Sequence, residues 1–224
     1  MANRNELPRP IENSGQQHLP CVVLMDTSGS MSGYEPQLRD GLQALIDGIN
    51  DDDTARQRVE LCVATFDDTV TVLENFGSMA SFEMPRISKC AGMTHMHEAI
   101  RKALDLVEER KAMYRTSNTT WNRPWIFLLT DGGANDPDNG AEAALLDSQA
   151  GSHCIFYGVG LGNEADTGLL RRLNINNMCF GASKEDFKGA FQFLSHSISK
   201  TSKTTPGQNV TLPNPSNYQL TVQA

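Results

Sequence analysis

The chain has 224 residues and a mass of 24.6 kDa, which is enough for one typical domain with tails and too little for two ordinary domains. Hydrophobic residues make up 39% of the sequence and charged residues 21%, so the chain can bury a core and differs from disordered or low-complexity sequences. Its net charge of -8 has the wrong sign for binding nucleic-acid phosphates or anionic lipid, which argues against both classes of partner.

Composition divides the chain into three parts. Residues 1–18 are polar, contain two prolines and lack the apolar core of a signal peptide, so we expect a flexible arm. Residues 199–224 contain no acid and no helical period, which predicts a Ser/Thr/Pro-containing tail. The folded unit is expected at 19–198, and its 15 basic and 25 acidic residues show that the acidity belongs to this unit.

The cysteines and the absence of a long apolar stretch predict a cytoplasmic protein. No segment approaches about 18 consecutive apolar residues, so no membrane span is expected. The five cysteines are odd in number and contain no CxxC pair, which argues against a disulfide framework and a cysteine zinc site. Four of them lie in apolar runs and are expected to be buried thiols: Cys21, Cys62, Cys154 and Cys179.

Apolar runs of strand length alternate with amphipathic stretches along the folded unit. A strand at 20–26 precedes a helix at 35–50, in which apolar residues recur at i, i+3 and i+4. Two β-rich runs at 59–66 and 69–76 indicate a hairpin. The elements expected after it are a helix at 95–112, a strand at 125–130, a helix at 139–150, a strand at 153–159, a short helix at 166–173, a short strand at 177–180 and a helix at 184–198. This alternation predicts an α/β fold with a single, mainly parallel sheet covered by helices on both faces.

Two of the predicted strands end in a carboxylate. Asp26 follows the first strand and begins the segment Asp-Thr-Ser-Gly-Ser at 26–30, and Asp131 follows the strand at 125–130 within Thr-Asp-Gly. Ligands of open parallel sheets bind outside the carboxyl ends of the strands, where strand order reverses. The alternation of Asp26, Ser28 and Ser30 lets three side-chain oxygens converge, and such a set suits Mg²⁺.

These loops resemble the metal-ion-dependent adhesion site (MIDAS) of the von Willebrand factor A family, which combines an Asp-x-Ser-x-Ser loop, a separate threonine and a Thr-Asp-Gly loop. Asp26, Ser28 and Ser30 match the first loop and Asp131 matches the third. Thr94 is the candidate threonine, in Gly-Met-Thr where the family commonly has Gly-Gly-Thr. The resemblance implies a doubly wound, six-stranded sheet in the order 3-2-1-4-5-6 with one antiparallel edge strand.

The run Asn-Arg-Pro-Trp-Ile-Phe-Leu-Leu-Thr-Asp-Gly at 122–132 is further similar to the bacterial TerY-like branch of this family, which is associated with tellurite resistance and stress operons. The family implies that Ser28 and Ser30 ligate Mg²⁺ directly, and that Asp26, Thr94 and Asp131 do so directly or through water. Mn²⁺ and Ca²⁺ are alternative ions. An open coordination position would accept an acidic or phosphorylated group of another protein, and the branch suggests a cognate kinase or phosphatase as partner.

The sequence leaves three functional hypotheses. The first is this non-enzymatic binding module. The second is a Mg²⁺-dependent phosphotransfer enzyme with a strand-end aspartate as nucleophile, but such enzymes need a second aspartate two residues on, where this chain has Ser28. The third is a scaffold whose ion only stabilises the fold.

Other residues are weaker candidates for a role at this edge of the sheet. Asp67 and Asp68 lie at the predicted hairpin turn, as rim groups or as an ordinary exposed turn, and Asn135, Asp136 and Asp138 lie in a loop that is either rim or solvated. His95 and His97 point to different faces of a helix and are poorly placed to share a metal. In the tail, hypothetical phosphorylation sites are Ser199, Thr201, Ser202, Thr204 and Thr205, and Tyr218, Leu220 and Val222 alternate as in a strand.

Overall fold

The computed structural model describes residues 7–175, 178–183 and 187–210. The strands within these residues are β1 (Leu19–Asp26), β2 (Val59–Phe66), β3 (Val70–Ser78), β4 (Trp125–Thr130), β5 (Ile155–Leu161) and β6 (Cys179–Ala182). They form one sheet in the order β3-β2-β1-β4-β5-β6, in which β3 is antiparallel to β2 and the other pairs are parallel. The predicted fold class, strand order and antiparallel edge strand are confirmed.

Six α-helices connect and flank these strands in the described part of the chain. They are α1 (Glu35–Asn50), α2 (Asp53–Arg58), α3 (Met96–Thr116), α4 (Ala141–Ala150), α5 (Thr167–Arg172) and α6 (Phe187–Ser202). The sequence reasoning missed α2, because six residues are too few for an apolar period to emerge. The start of α2 is stabilised by Asp52, whose carboxylate accepts the N–H groups of Thr54 and Ala55, both at 3.1 Å.

The central strands are apolar on both faces because helices cover both sides of the sheet. Alternate residues of β1 belong to two separate cores: Val23 and Met25 pack with α1 and α6, whereas Val22 and Leu24 pack with α3 and α4. All eight residues of β1 and all eight of β2 are buried. The near-continuous apolar runs in the sequence are thus explained by two-sided burial.

Packing extends beyond the predicted limits of the folded unit at 19 and 198. His18 is 1% exposed and its ring stacks on Tyr114, with 5.6 Å between ring centroids. The final helix continues to Ser202, and Asn122 Nδ2 donates a hydrogen bond to the carbonyl oxygen of Thr201 at 3.0 Å. Residues near both predicted boundaries therefore pack against the domain.

Several predictions fall on residues whose structure differs or is not described. Thr201 and Ser202 are buried, which argues against their phosphorylation in the folded chain, and the hypothesis for the tail stays a prediction. Residues 184–186, where the final helix was expected to begin, residue 177 at the expected start of β6, and the alternating Tyr218, Leu220 and Val222 lie outside the described residues.

All five cysteines are free thiols. Cys21, Cys62 and Cys154 are buried as predicted, whereas Cys179 is only partly buried because β6 is an edge strand. Among the described residues, no helix combines the length and apolar character that a membrane crossing requires.

The topology places the ends of β1 and β4 side by side. These strands are parallel neighbours in register, with Met25 opposite Leu129. The helix that follows β1 and the helix that follows β4 pack on opposite faces of the sheet. A crevice therefore opens at the carboxyl ends of β1 and β4, which is the switch point of a doubly wound sheet.

Candidate metal site

Asp26, the last residue of β1, is held rigidly at the base of this crevice. Its side chain is fully buried. The N–H of Ser28 donates to Asp26 Oδ1 at 2.8 Å, and the hydroxyl of Thr130 donates to Asp26 Oδ2 at 2.5 Å. Because each carboxylate oxygen has its own donor, the side chain has one orientation.

The electrostatic surroundings of Asp26 favour a nearby cation. Burial raises the pKa of Asp26, because the charged carboxylate loses its water, while the hydrogen bonds from Ser28 and Thr130 oppose that rise. The negative charge of Asp131 raises this pKa further. Two carboxylates that destabilise each other's charge would both be stabilised by a divalent ion between them.

The hydroxyls of the first loop connect Asp26's segment to Asp131. Ser28 Oγ lies 3.1 Å from Ser30 Oγ, and Ser30 Oγ donates to Asp131 Oδ1 at 2.7 Å. Adjacent oxygens around an octahedral ion with bonds of about 2.1 Å lie about 3.0 Å apart. The residues present therefore fit a Mg²⁺-type ion, both in the chemistry of their donors and in the spacing of their oxygens.

Thr94 lies in a separate loop that the first loop holds in place. The N–H of Gly29 donates to the carbonyl oxygen of Gly92 at 3.0 Å. The N–H of Ala91 donates to the carbonyl oxygen of Thr27 at 2.9 Å. Thr94 is 5% exposed, and a Cβ built on Gly132 would lie 4.0 Å from its hydroxyl oxygen. The structure thus brings all five predicted ligands, from three loops, to the same edge of the sheet.

Three residues that were weak candidates in the sequence position the Thr94 loop. Asn135 Oδ1 accepts the N–H of Thr94 at 3.0 Å, and Asp68 Oδ1 accepts the N–H of Met93 at 2.9 Å. The carbonyl oxygen of Asp67 accepts the N–H of His95 at 2.9 Å. Asp67, Asp68 and Asn135 therefore support the rim of the site. They do so through hydrogen bonds to the Thr94 loop, and none of these bonds makes them metal ligands.

Thr130 is the functional residue that sequence reasoning missed. Besides binding Asp26, its hydroxyl accepts the N–H of Gly132 at 3.1 Å, so it links the first loop to the third. The signal in the sequence is a polar residue that ends an otherwise apolar strand, directly before Asp131. In the structure this residue is fully buried. A buried hydroxyl at that place needs a partner, and the carboxylate of the neighbouring strand provides it.

Comparison with known proteins gives one sequence match and several structural ones. A model of the von Willebrand factor type A domain matches residues 21–134, a little over half of the chain. No curated protein matches the sequence.

Similar solved structures share the fold at low sequence identity. The von Willebrand factor type A structure from Catenulispora acidiphila has a TM-score of 0.60 at 15% identity, covering 82% of this chain and 43% of that one. The mussel byssus proximal thread matrix protein 1 with a zinc-occupied MIDAS motif has a TM-score of 0.56 at 17% identity, covering 80% and 46%. Manganese-loaded TRAP protein from Plasmodium vivax has a TM-score of 0.55 at 17% identity, covering 79% and 74%. The present chain thus spans less than half the length of the first two.

Proposed function

Because this chain belongs to the von Willebrand factor type A domain family, we propose that it is a metal-dependent protein-interaction module. The residues that would hold a Mg²⁺ ion are Asp26, Ser28, Ser30, Thr94 and Asp131. The observation that carries this proposal is the series of oxygen contacts from Ser28 through Ser30 to Asp131, at 3.1 and 2.7 Å. When bound, the ion supplies an electrophilic coordination position that an acidic or phosphorylated group of the partner completes.

The charges of the ligand set make partner binding depend on the ion. Asp26 and Asp131 together balance the charge of one divalent cation, and the three hydroxyls add none. Without the ion, two buried carboxylates would repel an acidic partner. With it, the weakly donating hydroxyls leave the cation able to accept another anion.

The surroundings of Asp26 support binding rather than phosphotransfer. A nucleophilic aspartate needs an oxygen that the substrate can reach, whereas Asp26 is fully buried and both of its oxygens accept hydrogen bonds. Ser28 also stands at the position where such enzymes carry a second aspartate.

The finer proposal is a regulatory adaptor in the cytoplasm of a bacterium, in a stress or tellurite-resistance-type system, with a cognate kinase or phosphatase as its partner. It is supported by the TerY-like run at 122–132 and by the five free thiols. The partner's acidic or phosphorylated residue would be the group that reaches the ion.

The test is partner capture by the full chain, from lysate of the source organism, in Mg²⁺ or in EDTA. We expect Asp26→Ala to abolish the Mg²⁺-dependent capture and Ser32→Ala to preserve it. Ser32 is a matched control because it lies two residues beyond Ser30, on the surface of the same loop. Capture that is indifferent both to EDTA and to Asp26→Ala would refute the adhesion-site function, and metal-dependent melting without capture would favour the scaffold.

A further inference from the structure

A second group of metal-ligating side chains lies where α3 and α4 begin. His97 is in the first turn of α3, Glu142 is in the first turn of α4, and Asp138 precedes α4. One ligand atom from each of the three lies within 4.8 Å of the other two. None of the three belongs to the site described above.

The His97 ring is oriented by the loop between β4 and α4. Its side chain is 8% exposed, and its Nδ1 lies 2.9 Å from the carbonyl oxygen of Asp136 and 3.2 Å from Asp136 Oδ1. Both neighbours are acceptors, so Nδ1 carries a proton and donates it. Metal-binding histidines are oriented in this way, through a hydrogen bond from the ring nitrogen that does not bind the metal.

The other ring nitrogen faces carboxylates. With Nδ1 protonated, the neutral ring presents a lone pair at Nε2, and Glu142 Oε1 lies 3.4 Å from it. The N–H groups of Glu142 and Gly140 bind Asp138 and lower its pKa, so this carboxylate is ionised at neutral pH. A buried lone pair facing carboxylates requires a positive charge between them, either a second ring proton or a metal cation.

We propose that His97, Asp138 and Glu142 form a second divalent-cation site, which prefers Zn²⁺ to Mg²⁺. An imidazole with two carboxylates suits zinc, whereas Mg²⁺ favours sets of oxygen ligands such as the first site. Zinc bonds of about 2.0–2.2 Å place ligand atoms about 3.3 Å apart, so the three atoms must approach by up to about 1.5 Å. The Glu142 side chain is 28% exposed and can rotate toward His97. Both oxygens of Asp138 accept backbone N–H groups, from Gly140 and Glu142, so Asp138 would approach by a shift of its surface loop with these bonds kept. The ion would join the start of α3 to the start of α4.

Arg172 supplies a competing positive charge. Its Nη2 lies 3.9 Å from Glu142 Oε1, and its side chain is 63% exposed. An ion bound to Glu142 must displace or repel this guanidinium. Removing the guanidinium should therefore strengthen zinc binding, an effect that an ion pair between imidazolium and carboxylate alone would not produce.

The experiment is a Zn²⁺ titration of the full-length chain carrying Asp26→Ala, which disables the first site. The nitrogens of the five histidine rings are followed by long-range ¹H–¹⁵N NMR at pH 7, and His97 is assigned from the His97→Gln spectrum. We expect the Nε2 resonance of His97 to move with one equivalent of Zn²⁺ while Nδ1 stays protonated, and to be unmoved by Mg²⁺. Zinc affinity should fall on the order of tenfold or more in Glu142→Gln and rise in Arg172→Gln.

The matched control is His95→Gln, because His95 stands two residues before His97, is 30% exposed and lies 3.7 Å from Glu98, a carboxylate outside the proposed site. Zinc affinity should be unchanged in this variant. The proposal is overturned if Zn²⁺ leaves the His97 Nε2 resonance in place, or if both ring nitrogens stay protonated at pH 7 when zinc is present. If His97→Gln does not fold, the Glu142→Gln and Arg172→Gln titrations decide the outcome. Since the first site is disabled throughout, neither result bears on Mg²⁺-dependent partner capture.

Discussion

A buried ionic cluster at the opposite end of the sheet from the metal site should control acid stability. Glu60, near the start of β2, is 1% exposed and accepts two hydrogen bonds from Arg110, from Nε and Nη2, both at 2.6 Å. Tyr114 donates its hydroxyl to the same carboxylate, and His18 Nδ1 lies 3.2 Å from it. Three buried side chains from two segments, His18 before β1 and Arg110 and Tyr114 in α3, therefore depend on the negative charge of Glu60.

The size of this contribution follows from the pKa of Glu60. Burial by itself would raise that pKa, but the nearby His18 ring, the hydrogen bonds from Arg110 and Tyr114, and the charge of Arg110 outweigh it and lower the pKa from 4.5 to about 2. This lowering corresponds to about 3 kcal/mol of folding free energy. Because the folded-state pKa is the lower one, the contribution is complete above about pH 4.5 and is lost as the pH falls toward 2.

The perturbation is Glu60→Gln, compared with the unaltered chain by urea denaturation between pH 7 and pH 2.5. At pH 7 the variant should lose about 3–5 kcal/mol of unfolding free energy, because Arg110 stays buried without its partner. The difference between the two proteins should shrink as the pH falls below about 4.5, since the unaltered chain then loses the charge that the variant lacks. The exposed Glu98→Gln is the control and should show no such change. A difference that stays constant over this pH range would refute the reasoning.

The remaining predictions concern the metal site and the helix packing. Asp131→Asn should weaken Mg²⁺ binding by more than about tenfold, measured by calorimetry, because one of the two ligand charges is lost; unchanged affinity would contradict the ligand assignment. Gly92→Ala should also weaken it, because Gly92 has φ of +81° and a Cβ there would lie 2.5 Å from Asp68 Oδ2. Gly41→Ala should destabilise the fold by about 1–3 kcal/mol in thermal unfolding, since its Cβ would lie 2.3 Å from Phe191 Cδ2. At a helix position with free space, replacing glycine by alanine stabilises the fold by roughly 1 kcal/mol. If Gly41→Ala is stabilised by that amount, the clash with Phe191 is absent.

The parts of the fold that sequence patterns predicted are those with a local signal. β1 and β4 are buried on both faces, so their residues are almost all apolar; β1 ends in the carboxylate of Asp26, and β4 is followed by that of Asp131. The site loops were found because their ligands recur at fixed spacing within a few residues. The strand order itself came from resemblance to a family, since apolar periodicity carries no information about which strands are neighbours.

The parts that were missed depend on residues distant in the chain. The N–H of Thr94 binds Asn135, which is 41 positions away, so no local pattern indicates that support. The helix α3 continues four residues beyond its predicted end at 112, and there Tyr114 is buried against Glu60, 54 positions away. Tertiary contacts of this kind override local propensity, and they are created only once the sheet has formed.

The position of the site at the ends of β1 and β4 also has a mechanical consequence. Both strands lie inside the sheet, with hydrogen-bonded neighbours on each side. A partner that is held at Asp26 and Asp131 and pulled away from the sheet would load these strands along their length. The eight residue pairs between β1 and β2 and the six between β4 and β5 would then share the force in shear, instead of opening one after another. A partner anchored at this edge could therefore be held under tension without peeling the sheet apart.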